Sequence, residues 1–203
     1  MRASTLVMAR APVPGRCKTR LQPLLGPAGC ARLQAQLIAH TLSACPPGTS
    51  VACDGLVDAG DHTSFDQQGA HLGERLSHAV DRVGAPVLVV GTDLPSLTRD
   101  DLRAADRALD DADVVFGPAA DGGYWLIGLR QAAPELFAID PALWGGPGVL
   151  AASLARADAA GLRSALLDER RDLDTPADAR ALRAEPRTPP AIAACLSASS
   201  SRP

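Results

Sequence analysis

This chain of 203 residues has few aromatic side chains and a small net charge. Aromatic residues make up 3% of the sequence and hydrophobic residues 46%, so a core must be filled by leucine, valine and alanine. The formal net charge at pH 7 is -3. A chain so near neutrality has no basic surplus for binding nucleic acid or an anionic membrane, and we expect neither as a partner.

Long apolar runs are also missing. No run approaches the roughly 20 apolar residues that a membrane-spanning helix needs, and the first residues lack the apolar segment and cleavage site of a signal peptide. The five cysteines are scattered, odd in number and without a Cys-x-x-Cys pair, a pattern typical of reduced thiols rather than of disulfides or a zinc site. These absences together predict a cytoplasmic protein.

Several catalytic fingerprints do not occur. The sequence has no Gly-x-Ser-x-Gly elbow, no Walker loop and no Gly-x-Gly-x-x-Gly motif. Their absence argues against a serine hydrolase, a P-loop ATPase and a dinucleotide-dependent oxidoreductase. The four histidines show no spacing typical of a metal site. Other residues must therefore carry any chemistry.

Strand and helix signals alternate along the chain, which predicts an α/β fold around a mostly parallel sheet. The apolar run 86–90 is bounded by turn residues and predicts a central strand buried on both faces. Residues 56–70 are polar and show no regular pattern. Toward the end of the chain proline, serine and alanine dominate. We expect one domain over residues 1–184 and a flexible tail over residues 185–203.

A cationic loop, residues 9–21, follows the first predicted strand. Its four cations are Arg10, Arg16, Lys18 and Arg20. Two prolines fix φ and remove N–H donors, and Gly15 permits a tight bend. A stiff cationic loop after the first strand of an α/β sheet is where such proteins bind phosphate. A basic surface loop with no ligand has the same composition, so the loop alone leaves both interpretations open.

Four aspartates follow predicted strands at their carboxyl ends, where open α/β sheets bind ligands. They are Asp93, Asp121, Asp172 and Asp174. Asp172 and Asp174 lie two residues apart in an extended segment, so their side chains point the same way. Carboxylates beside a cationic loop can hold Mg²⁺ and the polyphosphate that it bridges. Taken alone, Asp93 is as compatible with a turn cap as with a metal ligand, Asp121 is typical of a turn, and Asp172 and Asp174 fit a solvated position better than a metal site.

Five segments, in this order, make the chain resemble a known family. They are M-A-R-A-P-V-P-G-R-C-K-T-R-L (8–21), L-G-E-R-L (72–76), G-T-D-L-P (91–95), G-P-A-A-D-G-G-Y-W-L-I-G-L (117–129) and D-L-D-T-P-A-D (172–178). The chain resembles small bacterial transferases of the glycosyltransferase and arsenosugar-biosynthesis or selenium-domain-associated type. These are similar to the guanylyltransferase that activates 2-phospholactate or phosphoenolpyruvate in deazaflavin cofactor synthesis, and more distantly to the molybdenum-cofactor nucleotidyltransferase. The resemblance implies a single-domain GT-A-like (nucleotide-diphospho-sugar transferase) fold, a three-layer sandwich around a mostly parallel sheet.

The resemblance also implies roles for individual residues. The implied nucleotide-binding set is Arg10, Pro14, Gly15, Arg16, Lys18, Arg20, Gly73, Glu74, Arg75 and Thr92. The implied substrate-binding set is Asp121, Gly122, Gly123, Tyr124 and Trp144. Mg²⁺, or Mn²⁺ in its place, would be held by Asp93, Asp172 and Asp174, and the catalytic residues would be Lys18, Arg20 and Asp93. His71 departs from the family pattern, because it stands where an acidic residue is more usual, and Asp93 lacks the Asp-x-Asp partner typical of sugar-transferring members.

The implied reaction is Mg²⁺-dependent transfer of a nucleotidyl group from a nucleoside triphosphate to a small phosphorylated acceptor, with release of pyrophosphate. Lys18 and Arg20 would stabilise charge on the leaving pyrophosphate. Two alternatives remain: glycosyl transfer from a nucleotide-diphospho-sugar, and a non-catalytic nucleotide-binding module. The dense cations and the missing Asp-x-Asp favour nucleotidyl transfer. We expect a nucleoside triphosphate or nucleotide-sugar and a small-molecule acceptor as partners, and a monomer or homodimer as the assembly.

Overall fold

One mixed sheet runs through the part of the chain that the computed structural model describes, residues 2–183 and 185–197. Its strands are β1 (Ser4–Ala9), β2 (Ser50–Cys53), β3 (Thr63–Asp66), β4 (Val87–Val90), β5 (Val114–Pro118), β6 (Tyr124–Leu129) and β7 (Ser164–Leu166). Their order across the sheet is β3-β2-β1-β4-β6-β5-β7. The strand predicted to be central, β4, lies between β1 and β6 with every residue buried.

The sheet is mostly parallel, as predicted, with one reversed strand. β1 pairs in parallel with β2 and β4, β2 with β3, and β5 with β7. β6 is antiparallel to both of its neighbours, β4 and β5. The reversal follows from the short connection 119–123, because only an antiparallel pair can be joined by so tight a turn. The carboxyl ends of β1, β4 and β5 therefore meet at one edge.

Six helices complete the described part of the fold. They are α1 (Gln22–Ala44), α2 (Leu72–Val83), α3 (Arg99–Ala108), α4 (Val149–Ala159), α5 (Pro176–Arg183) and α6 (Pro190–Ser197). Short 3-10 turns cover Thr19–Leu21, Pro134–Phe137 and Pro141–Leu143. The capping box expected at Thr98 and Asp101 is present at the start of α3.

The helices cover both faces of the sheet and make three layers. On one face α1 and α3 pack through Ile38, Leu42, Leu102 and Ala105 against strand residues such as Leu88. On the other face α2 and α4 pack through a set that includes Leu76, Val80 and Ala157. A third cluster joins the first half of α1 to α5 and α6. The core is almost wholly aliphatic, as the low aromatic content requires.

The structure also bears on the state of the cysteines and on membrane-spanning helices. All five cysteines are free thiols, as expected. Within residues 2–183 and 185–197, no helix combines the length and the apolar character needed to cross a bilayer.

Strand β3 was not predicted, because residues 56–70 carry no strand pattern. It is an edge strand paired only on its β2 side, and Phe65 is its single large apolar residue. An edge strand with both faces largely in solvent needs no alternation of apolar and polar residues. The signal that sequence reasoning relies on is therefore missing at this position.

The end of the chain differs from the expected flexible tail. Residues 190–197 form α6, whose Ile192 and Leu196 are buried against α1 and α5 in the third cluster. Thr188 anchors the turn before α6 by donating its hydroxyl to the Leu182 carbonyl oxygen at 2.7 Å. The sequence did not predict α6, because alanine and serine dominate this segment and its apolar stripe is short. Residues 184 and 198–203 lie outside the described residues.

Replacing Ile192 by alanine tests whether α6 is part of the folded core. Because Ile192 is 1% exposed, we expect the substitution to lower the free energy of unfolding by about 2–4 kcal/mol, as for other buried isoleucines. Urea denaturation followed by circular dichroism measures the change. Ala194→Ser, on the exposed side of the same helix, is the matched control and should change stability by less than about 0.5 kcal/mol. Equal stability of the Ile192→Ala variant and the original chain would mean that α6 does not pack as described.

Candidate functional site

Three segments meet at the carboxyl edge of the sheet, and Leu173 links them. The Leu173 N–H donates to the backbone oxygen of Asp93 at 2.8 Å. Its carbonyl oxygen accepts from the Lys18 ammonium at 2.6 Å. The Leu173 side chain is fully buried in the cluster between α1 and α5. The cationic loop, the loop after β4 and the segment 172–174 are thus held together by one apolar residue between two aspartates.

Lys18 lies at the centre of this junction. Its Nζ is 2.8 Å from Asp93 Oδ1 and 3.0 Å from Asp174 Oδ1, and its side chain is only 4% exposed. Its backbone is left-handed, with φ 47° and ψ 41°, which turns the chain so that the side chain points inward. Burial alone would lower the pKa of Lys18, but the charges of Asp93 and Asp174 outweigh burial and raise it. The ammonium therefore stays charged between two carboxylates.

Asp93 is held in place through a buried relay from α1. Gln34 donates its side-chain N–H to Thr92 Oγ1 at 3.1 Å and to the Arg10 carbonyl oxygen at 3.2 Å. The Thr92 hydroxyl in turn donates to Asp93 Oδ1 at 3.3 Å. Gln34 is 2% exposed and Thr92 is 4% exposed. Thr92, predicted to bind nucleotide, thus contacts Asp93 and fixes its orientation.

Asp172 lies in a concentration of negative charge. The segment before it runs beside the β5–β6 turn, where Arg170 N–H donates to the Pro118 oxygen at 3.0 Å and Ala120 N–H to the Arg170 oxygen at 2.9 Å. Burial, followed by the nearby charges of Asp121, Asp174 and Asp93, raises the pKa of Asp172 to about 6. Within the described part of the chain Asp172 has no ion-pair partner. Four carboxylates therefore lie at one edge with one buried ammonium among them.

The carboxylates suit a divalent cation in chemistry and in charge. Mg²⁺ and Mn²⁺ take oxygen ligands, and a bound cation would stabilise the ionised form of Asp172, whose pKa is raised first by burial and then by the neighbouring carboxylates. Among the described residues, however, no three acidic, histidine or cysteine side chains already form a metal-holding cluster. The Lys18 ammonium lies where two of the three predicted ligands, Asp93 and Asp174, converge. A metal ion that used both would have to displace it.

The remaining cations of the loop divide into two kinds. Arg10, predicted to bind nucleotide, has its Nε 3.5 Å from Asp54 Oδ2, and this ion pair stabilises the end of β1. Arg20 Nη1 lies 3.5 Å from Asp174 Oδ2, with the Arg20 side chain 63% exposed. Arg16 is exposed and makes no ion pair within residues 2–183 and 185–197. Pro14 and Gly15, at the bend of the loop, are exposed as well. Arg16 is thus the loop cation most open to an incoming anion, while Arg10 and Arg20 are similarly exposed and each has one ion pair.

The predicted residues of α2 shape the loop before this helix. Glu74 Oε2 accepts from the Ala70 N–H at 2.7 Å, and Arg75 Nε donates to the Gly69 oxygen at 3.1 Å. Gly73 is buried, and a side chain there would collide with the Phe137 carbonyl and the Trp144 ring. One predicted nucleotide residue and one predicted substrate residue, Gly73 and Trp144, are therefore direct neighbours.

The predicted substrate residues of the β5–β6 turn serve first to build that turn. Gly123 N–H donates to Asp121 Oδ1 at 2.8 Å. Gly122 has φ 90° and packs under the backbone of Pro147, where no side chain fits. The Tyr124 ring packs on Phe116 with centroids 5.4 Å apart, and burial raises the pKa of its hydroxyl. Asp121 is the member of this set whose charge acts on Asp172.

Sequence reasoning missed two glutamines and one backbone oxygen. Gln34 orients Thr92, and Gln67 donates to the backbone oxygens of Ala9 and Ala52 at 2.9 and 3.0 Å, which closes the ends of β1 and β2. The Leu173 oxygen holds Lys18. Gln34 could have been noticed as a polar residue among the apolar positions of α1. The other two carry no sequence signal, because their roles depend on long-range packing.

Comparison with known proteins identifies a family and a fold. A family described as "Uncharacterized protein conserved in bacteria (DUF2064)" matches residues 30–142, more than half of the chain. No curated protein matches the sequence. A provisionally assigned nucleotide-diphospho-sugar transferase from Desulfovibrio desulfuricans G20 is 27% identical, covers 96% of this chain and 93% of its own, and has a TM-score of 0.84.

Two more distant structures share the fold. CMP:2-keto-3-deoxy-manno-octonic acid synthetase, solved with CTP, is 17% identical, with a TM-score of 0.56 and coverage of 91% of this chain and 98% of its own. Rv0371c from Mycobacterium tuberculosis H37Rv, solved with manganese, is 18% identical, with a TM-score of 0.50 and coverage of 89% and 98%. These likenesses confirm the predicted nucleotide-diphospho-sugar transferase fold.

Proposed function

The chain belongs to the bacterial family DUF2064, and we propose that it is a divalent-metal-dependent nucleotidyltransferase. In this proposal it transfers a nucleotidyl group from a nucleoside triphosphate to a small phosphorylated acceptor and releases pyrophosphate. The proposed enzyme is cytoplasmic, with one catalytic domain, and acts as a monomer or homodimer. The motif resemblance to the guanylyltransferase of deazaflavin synthesis suggests a phosphorylated carboxylic acid as the acceptor.

The observation that carries the proposal is the contact of Lys18 with Asp93 and Asp174. It brings the cationic loop and the carboxylates to within hydrogen-bond distance of one another. A triphosphate with its metal ion presents both negative oxygens and a cation, so it can satisfy both halves of this arrangement at once. Binding would exchange Lys18–carboxylate pairs for metal–carboxylate and Lys18–phosphate pairs.

The proposed chemistry is an in-line displacement at the α-phosphorus. A phosphate oxygen of the acceptor forms the new P–O bond, the bond from the α-phosphorus to the bridging oxygen breaks, and its electron pair leaves with pyrophosphate. Asp93, Asp172 and Asp174, with Asp121 beside them, would hold the metal, which supplies Lewis-acid stabilisation of the phosphoryl oxygens. Lys18 and Arg20 would neutralise the leaving pyrophosphate, and Arg16 would contact the outer phosphates. The attacking oxygen is already ionised, so no general base is needed.

Glycosyl transfer is the second candidate, because the Desulfovibrio protein at 27% identity bears a nucleotide-diphospho-sugar transferase description. It would use the same carboxylates but break the bond between the sugar and the diphosphate. The released product would be a nucleoside diphosphate rather than pyrophosphate. Four loop cations and the missing Asp-x-Asp support the triphosphate as donor.

A ligand panel tests the proposal directly. We expect at least one nucleoside triphosphate to raise the melting temperature in the presence of Mg²⁺ and not in the presence of a chelator. The triphosphate that binds is then incubated with phosphorylated carboxylic acids, and pyrophosphate is measured. A nucleotide-sugar that stabilises the protein, together with nucleoside diphosphate release, would support glycosyl transfer instead. Absence of metal-dependent binding by either class would contradict both enzyme proposals.

A further inference from the structure

A cavity of about 440 Å³ lies beside the loop that follows β4. Its polar lining consists of His40, Ser96, Thr98, Asp101, Arg170 and Arg187. The volume falls in the range of small-molecule sites. Two of its segments also reach the candidate site: the loop after β4 carries Asp93, and Arg170 is two residues before Asp172.

The lining carries an uncompensated positive charge. Arg170 Nη2 donates to Asp101 Oδ1 at 2.9 Å, and these two side chains are 22% and 13% exposed. The other oxygen of Asp101 accepts from the Thr98 N–H at 2.9 Å and the Thr98 hydroxyl at 2.8 Å, so both oxygens are already engaged. Arg187 makes no ion pair in the part of the chain that the structure describes. One exposed guanidinium, that of Arg187, therefore remains without an ion pair at the cavity.

Two buried nitrogen atoms of the lining have no hydrogen-bond partner among the described residues. They are Arg170 Nε and His40 Nε2. A buried donor left unpaired costs about 1–3 kcal/mol, so an unpaired Arg170 Nε–H at a cavity is unusual unless a ligand pairs with it. Arg170 Nε–H can only donate a hydrogen bond, so its partner in the cavity must be an acceptor. Burial lowers the pKa of His40, and a backbone hydrogen bond with Leu97 acts in the opposite direction. The neutral ring has a single N–H, which this contact with Leu97 uses.

The backbone holds both arginines in place. The backbone of Arg170 is fixed by its two hydrogen bonds to the β5–β6 connection. Arg187 lies in the turn between α5 and α6, where Thr188 N–H donates to the Glu185 oxygen at 3.0 Å and the Thr188 hydroxyl to Leu182. The folding of α6 against α1 keeps this turn against the cavity. The segment predicted to be a flexible tail thus supplies one wall of a polar site.

We propose that this cavity binds a small organic anion through a carboxylate or phosphate group. The anion accepts a hydrogen bond from Arg170 Nε and pairs with the guanidinium of Arg187, the two cationic groups of the lining that lack a full set of partners. The site is separate from the cationic loop, because none of its residues belongs to residues 9–21. It does not depend on which transfer reaction the protein catalyses.

Calorimetric titration with inorganic phosphate and, separately, with malonate tests the proposal on the full chain without nucleotide or metal. We expect saturable binding of at least one of the two, and the responding probe identifies the preferred group. Arg187→Glu should weaken binding about tenfold or more, because a charge-assisted hydrogen bond is replaced by repulsion. Arg187→Lys should bind with intermediate affinity, since it keeps the charge and loses the planar fork.

Two further variants locate the site. Arg156→Glu makes the same charge change on the exposed side of α4 and should bind like the original chain. Arg20→Glu disables the cationic loop and should also retain binding. Binding that disappears in Arg20→Glu and survives in Arg187→Glu would overturn the proposal, since the anion would then lie on the loop. Lack of saturable binding by both probes would overturn it as well. Hydrogen exchange should show protection at residues 94–98 and 185–188 on binding.

Discussion

Replacing Lys18 by methionine is expected to lower kcat/KM for the nucleotide-dependent reaction by about 10²–10³-fold, as when one preorganised donor to a developing charge is removed. Methionine retains an unbranched apolar stem, so the loss is mainly that of the ammonium. The same change leaves Asp93 and Asp174 with no buried cation between them. We therefore also expect the ligand-free protein to lose stability, by about 1 kcal/mol, a figure kept small because Asp93 and Asp174 are 46% and 34% exposed and water screens their charges.

Mg²⁺ without nucleotide separates the two roles of Lys18. In the original chain the ammonium competes with a metal ion for Asp93 and Asp174. In Lys18→Met these carboxylates are open, so Mg²⁺ alone should raise the melting temperature of the variant more than that of the original chain. Differential scanning fluorimetry across a Mg²⁺ series measures this. Arg32→Met, which removes an exposed cation of α1, is the control and should leave both activity and the Mg²⁺ response unchanged. Equal behaviour of the two variants would rule out a central role for Lys18.

The fold was predictable wherever burial imposes a pattern on the sequence. Strand β4 is buried on both faces and stands out as an apolar run, while α2 and α3 have one apolar stripe each. Strand β3 and helix α6 were missed for opposite reasons. β3 buries little, so its residues are free to be polar. α6 buries Ile192 and Leu196 but is short and lies in a stretch whose composition resembles that of a flexible segment.

The sequence predicts that the cationic loop and the aspartates lie at one edge of the sheet, but it does not predict how they pair. The rule that ligands bind beyond the carboxyl ends of strands brings the loop and the aspartates to one edge. It does not say that Lys18 adopts a left-handed backbone and turns inward, or that Leu173 holds it by a carbonyl oxygen. Those contacts join residues about 155 positions apart in sequence. The sequence therefore suggested three metal ligands, whereas the structure has two of them paired with an ammonium.

Asp172→Asn and Asp174→Asn are expected to change stability in opposite directions, although the two residues lie two positions apart. Asp172 has its pKa raised to about 6, so its ionised form is disfavoured in the folded protein. The unfolded chain ionises this carboxyl near its ordinary pKa of about 4. Between about pH 4 and pH 6 the folded state therefore binds more protons at Asp172 than the unfolded chain does. The free energy of unfolding consequently falls as the pH rises through this range. Above pH 6 the full penalty applies, and asparagine removes it.

Asp174 has the opposite role, because it pairs with Lys18 and Arg20. Its replacement by asparagine should cost about 1–2 kcal/mol, less than for a fully buried pair because Asp93 and the Leu173 oxygen still hold Lys18. Asp172→Asn should instead stabilise the metal-free protein at pH 7.5 by about 1 kcal/mol, a figure reduced for the part of the side chain that faces water. This gain should shrink as the pH falls from 6 to 4.

Chemical denaturation with a chelator at pH 7.5, 5.5 and 4 measures both variants against the original chain. With Mg²⁺ and nucleoside triphosphate added, the original chain should gain stability and both variants should gain much less, since each has lost a proposed ligand. Asp172→Asn would then be more stable than the original chain without ligand and less stable with it. This reversal of the stability order is expected if the Asp172 carboxylate destabilises the ligand-free protein and binds a cation when the ligand is present. A loss of stability in Asp172→Asn at pH 7.5 equal to that in Asp174→Asn would show that Asp172 is instead a structural partner.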